Sequence, residues 1–138
     1  MPHPEAEERL ALAKKHLERV LVAWDEPTDW ADLSLYGFYC LEASIVAAAL
    51  KVGMEPSRSH PGKARAARSL QSHSLPDVAD MLSNLNMARK AAAYGDVDFP
   101  ELDAEDLATR IEEYVEAVAT LFADESGESS ESCESTDA

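Results

Sequence analysis

Apolar residues recur at three- and four-residue steps along most of the chain, and this spacing predicts helices rather than strands. The first runs from about Pro4 to Trp24, with Leu10, Ala13, Leu17, Val20, Leu21 and Trp24 on one face and Glu7, Lys14, Lys15, Glu18 and Arg19 on the other. Asp25-Glu26-Pro27-Thr28-Asp29 breaks it, because a residue before proline avoids helical geometry. The second spans about Trp30 to Val52, with Asp29 as N-cap and Gly53 as stop. It is apolar nearly all round (Leu33, Leu35, Tyr36, Phe38, Tyr39, Leu41, Ile45, Val46, Leu50), so it is expected at the centre, with Gly37 and Ala47 to Ala49 permitting close approach.

The Pro/Gly-punctuated loop 55–62 precedes a short, polar and basic helix, about Lys63 to Gln71, expected on the surface. A fourth helix is predicted from about Pro76 to Tyr94, with the stripe Val78, Met81, Leu82, Leu85, Ala88, Arg89, Ala92. A fifth is predicted from about Ala104 to Ala123, capped by Asp103 and carrying Leu107, Ile111, Tyr114, Val115, Val118, Leu121 and Phe122. From Asp124 on, Ser and acidic residues leave no apolar stripe to offset the entropy of ordering, so a disordered tail is expected. The fold class is thus an all-α, up-and-down bundle of four to five helices over residues 1–123, with a disordered acidic tail at 124–138.

Composition supports this. The chain has 138 residues, enough for one domain, and 46% of them are hydrophobic, enough for a core without disulfides or a structural metal. No run of about 18 uncharged apolar residues predicts a membrane span. The N-terminus lacks the basic start and apolar run of a secretory signal, so the expected location is the cytoplasm.

Charge sharpens the picture. The net charge is −15, which opposes double-stranded DNA as a partner. It is unevenly spread: residues 91–123 carry nine acids and one base, and 124–138 carry six acids and no base. Residues 51–90 reverse the sign, with seven bases against three acids, so a local face there can hold an anion.

Candidate chemistry is sparse. Cys40 lies in an apolar run and Cys133 in the tail; they form no metal-ligand pair, and Cys40 is expected to be buried and inert. His3, His16 and His73 have no partners at ligand spacing, and His16 is expected on the surface. No nucleophile–base pattern, metal signature or cofactor motif is present. Arg89 falls on the apolar stripe of the fourth helix, where a guanidinium needs an anion or several acceptors. Glu42, amid the most apolar helix, is the natural pairing candidate. Ser57-Arg58-Ser59-His60-Pro61-Gly62-Lys63 gathers hydroxyls, cations and a histidine at a helix start, without the glycine spacing of a P-loop.

With this helix order, three local patterns carry a resemblance: Leu35-Tyr36-Gly37-Phe38-Tyr39-Cys40-Leu41-Glu42-Ala43, the Ser59-His60 turn followed by Lys63, and Arg89 with Tyr94-Gly95-Asp96 closing the fourth helix. Over about Glu7 to Phe122 the chain resembles a HEPN domain, of the higher eukaryote and prokaryote nucleotide-binding family. Many members are metal-independent RNases that act as toxins beside a nucleotidyltransferase antitoxin; an Arg, four to six residues, then a His recur across a symmetric dimer. There the His does acid–base work on the ribose 2′-hydroxyl and the Arg steadies the phosphate.

The present chain supplies Arg89, followed at the His positions by Tyr94, Gly95 and Asp96. A tyrosine, with an ordinary pKa near 10, is a poor base at neutral pH. The resemblance is to the Arg-x4-Tyr branch, and it implies a non-catalytic homodimer. That dimer would bind a nucleotide, an RNA end or a protein partner at a cleft of Arg89, Tyr94, Asp96, His60, Lys63 and Glu42, without metal or cofactor. The alternatives are a metal-independent endoribonuclease using Arg89 and Tyr94, paired with a nucleotidyltransferase, or a structural acidic dimer docking a basic protein.

Overall fold

The computed structural model describes residues 4–25, 27–55, 58–94 and 102–127, with side chains for all but His60, Tyr94 and 124–127. They form a bundle of five α-helices, with no strand among the described residues. The helices are α1 (Pro4–Ala23), α2 (Trp30–Lys51), α3 (His60–Ser69), α4 (Ala79–Tyr94) and α5 (Ala104–Gly127), with a 3-10 turn at Leu70–His73 after α3.

Local chemistry sets the boundaries. Asp29 caps α2 by accepting a hydrogen bond from Asp32 N at 3.0 Å, and its own N–H reaches back to Ala23 O at 2.8 Å, folding α2 against α1. At the other end Gly53 adopts φ 84°, and Met54 N and Gly53 N donate to Ala49 O and Leu50 O. This is a Schellman stop, which needs a left-handed residue that glycine supplies without strain. Asp103 caps α5 through Asp106 N at 3.0 Å.

Three boundaries differ from the sequence expectation. α3 starts at His60 rather than Lys63, because Ser59 caps it through Gly62 N at 3.0 Å and Pro61 is tolerated in a first turn. α4 starts at Ala79 rather than Pro76: the Asp77 carboxylate accepts from Ala79 N at 3.0 Å and holds 76–78 outside the helix. α5 continues through Gly127, one turn past the expected end at Ala123; the rest of the expected tail, 128–138, lies outside the described residues.

α2 is the central element. α1, α3, α4 and α5 all pack on it, and Leu33, Leu41 and Ile45 are almost fully buried. By length and composition it is apolar enough to cross a membrane, yet about two thirds of its most apolar stretch is buried by its neighbours. Gly37 marks a close approach: a Cβ there would stand 3.1 Å from Ile111 Cδ1 and 3.4 Å from Leu85 Cδ2. α3 is not the wholly superficial helix its polarity implies. Ala64, Ala66 and Ala67 are buried, and only its Arg65 and Arg68 side stays exposed. Small side chains make a packing face that charge-dominated patterning hides.

Candidate functional site

Arg89 lies one turn after the buried Leu85 on α4, half-buried against α2. Its guanidinium carbon stands 4.8 Å from the centre of the Phe38 ring, and Nη2 donates to Asn86 Oδ1 at 2.7 Å. Its Nε is buried without a hydrogen-bond partner. Among the described residues no carboxylate pairs with it; the ring face and one amide oxygen hold the cation instead.

Glu42 pairs not with Arg89, the expected partner, but with Lys63: Nζ donates to Oε2 at 3.3 Å, joining α2 to the first turn of α3. Both side chains are largely covered, with 17% and 19% exposure. The sequence places the right residue types but not the pairing, because the approach of α3 to α2 is a tertiary fact. Phe38 and Glu42 are one turn apart on one side of α2, so the Arg89–Phe38 and Lys63–Glu42 contacts are neighbours along it.

Beside Glu42 a groove opens between α1 and α2. A cavity of about 160 Å³ is lined by Arg9, Leu12, His16, Tyr39, Glu42 and Lys63 among others. Arg9, Val46 and Lys63 also line a second cavity of about 530 Å³, with Glu5, Glu55 and Arg58. Arg89 lines neither.

His16 is not the surface residue expected. It is half-buried, its ring centroid 5.9 Å from that of Tyr36 and 5.6 Å from that of Tyr39, and burial lowers its pKa. Arg19 lies over the other aromatic, its guanidinium carbon 4.6 Å from the Tyr36 centroid. The signal was present: His16 sits three residues after Ala13 and four before Val20, both buried. Arg9, Phe38 and Tyr39 are further site-lining residues that sequence reasoning did not single out. Asn86, three residues before Arg89, is a helical neighbour that spacing alone could have supplied.

Of the remaining candidates, Tyr94 is the last residue of α4 and His60 the first of α3, and the side chains of both lie outside the described set; Asp96 lies outside the described residues altogether. Cys40 is fully buried, donates to Ala13 O at 3.3 Å, and has its thiol pKa pushed up to about 12 by burial, as expected of an inert core thiol. Among the described residues no group of His, Cys, Asp and Glu is placed to hold a metal.

Fold and site together define an all-α helical bundle with a half-buried arginine, paired with no carboxylate among the described residues, on one side of its central helix and a groove on that helix beside Glu42. No family model matches the chain, and no curated protein matches it.

Proposed function

We propose that this chain is a HEPN-like binding module of the cytoplasm, a non-catalytic homodimer that takes a phosphate-bearing ligand, a nucleotide or an RNA end, on the α2 side where Arg89 lies and α4 ends in Tyr94. One observation carries the reading. Arg89 is half-buried with its charge unmatched by any described carboxylate and with Nε unpartnered. Nε itself is buried and Nη2 already donates to Asn86, so the donors left for a phosphate are those of Nη1 and the second N–H of Nη2. The His of the catalytic family motif is absent after Arg89, which favours binding over RNA cleavage. Leu12 and Tyr39, 37% and 40% exposed at the small cavity, offer apolar surface for a second copy.

Calorimetric titration of the full chain with a nucleoside monophosphate and a short 5′-phosphorylated oligoribonucleotide tests this, with light scattering for the dimer. Loss of a charged hydrogen bond weakens binding about tenfold or more, so Arg89→Ala is expected to do so and the exposed Lys90→Ala to leave affinity unchanged. Equal affinity of wild type and Arg89→Ala overturns the reading. Metal-free RNA cleavage abolished by Arg89→Ala replaces it with the endoribonuclease.

A further inference from the structure

The basic stretch of this acidic chain has a structural setting that the Arg89 site does not use. Residues 56–76 hold four bases (Arg58, Lys63, Arg65, Arg68) and no acid. Lys63 is matched by Glu42. The other three are exposed, and none takes part in an ion pair among the described residues. The alanine face of α3 is buried, so the helix is fixed with Arg65 and Arg68 turned outward, three residues apart and hence side by side. Arg58 precedes them at the rim of the larger cavity.

The same chain carries the complementary charge. Residues 124–138 contain six acids and no base, spaced so that Glu128, Glu131 and Glu134 recur every third position. The origin of this segment is known. Lys51 Nζ lies 4.9 Å from the centre of the Phe122 ring, so α5 ends at the same end of the bundle as α2. The loop leading to Arg58 and α3 leaves from that end too. Glu42, which holds Lys63, is nine residues before Lys51, roughly 13 Å back along α2. The eleven residues after Gly127 span up to roughly 36–40 Å when extended. That reach exceeds the roughly 13 Å from the end of α2 to the Lys63–Glu42 contact at the first turn of α3. The geometry points to the acidic C-terminal segment of this chain as the occupant of the Arg58–Arg65–Arg68 surface, docked in cis by charge.

A nitroxide probe reads the docking directly. Cys40 is fully buried, so a thiol reagent applied to the folded full chain takes Cys133. With the chain 15N-labelled, amides of residues 58–69 are expected to lose intensity about twofold or more at 10 mM salt, and to recover it at 1 M, where the Debye length falls to ~3 Å. Arg58→Gln, Arg65→Gln and Arg68→Gln together are expected to abolish the loss while the remaining spectrum stays in place. Loss spread evenly over the surface, or no salt response, overturns the proposal. So does loss that survives when spin-labelled 14N chain is mixed with unlabelled 15N chain, which places the segment on a second copy.

Discussion

Arg89 and Phe38 meet face-on, guanidinium carbon to ring centre, at 4.8 Å between α4 and α2. The contact holds a cation at the edge of an apolar bundle while leaving its Nε without a partner. The two effects oppose each other in stability. A partly exposed cation–π contact contributes about 0.5–1 kcal/mol and the Asn86 hydrogen bond, lost with it, about 1 kcal/mol, while an unsatisfied buried donor costs about 1–3 kcal/mol. Arg89→Ala is therefore expected to change unfolding free energy by less than ~1 kcal/mol while removing ligand binding. Urea unfolding beside the titration checks this; a variant that fails to fold would make Arg89 a structural residue.

Lys63 and Glu42 share a contact that is neither open to solvent nor sealed from it. Fully exposed pairs contribute about 0–1 kcal/mol, and breaking buried ones costs about 3–5 kcal/mol. Each single variant, Glu42→Gln or Lys63→Met, is expected to destabilise the fold by about 1–2 kcal/mol. The double variant is expected to recover part of that, for a coupling energy of about 1 kcal/mol in a double-mutant cycle. Strictly additive losses would mean the pair does not hold α3 to α2.

Cys40 and Tyr114 give the fold an alkaline weakness. Burial raises the Cys40 thiol from 9.0 to about 12 and raises the Tyr114 phenol, with the Asp77 charge adding to the latter. In each case the native state keeps a proton that the unfolded chain gives up. Stability from Cys40 is thus complete below pH 9.0 and declines as pH rises toward about 12. Denaturant unfolding at pH 8, 9.5 and 11 is expected to show a steady fall, flatter in Cys40→Ala. A flat profile in the native sequence would contradict the burial of both groups.

Gly37 sits where α2, α4 and α5 converge, and substitutions there separate helix propensity from packing. Alanine gains about 1 kcal/mol of propensity against a methyl placed 3.1 Å from the movable end of Ile111. Gly37→Ala is expected to be close to neutral. Gly37→Leu has no such outlet and is expected to destabilise the bundle by at least ~2 kcal/mol. Thermal unfolding of the two variants gives the comparison.

What the sequence revealed was local. The Asp29 and Asp103 caps and the Gly53 stop follow from residues within five positions, and they appear where the pattern put them. The centrality of α2 was legible because no side of it is polar enough to face water. The differences have two causes. Glu42 pairs with Lys63 rather than Arg89 because α3 lies beside α2, and spacing along one helix does not contain that. His16 and the alanines of α3 are covered at positions that helical spacing does mark, but the charges around them dominate the pattern. Arg89 was legible as an anomaly, but its aromatic support on α2 was not.

α2 draws its burial from partners on both sides of it in the chain, and synthesis delivers them unequally. α1 leaves the ribosome first and can cover one side at once. Leu85 and Ile111, which close over Gly37, follow Lys51 by about 34 and 60 residues. At about 5–20 residues per second, the newborn helix spends several seconds half-clothed, indistinguishable by hydropathy from a membrane anchor. Residues 30–51 therefore stay only partly covered until α5 emerges.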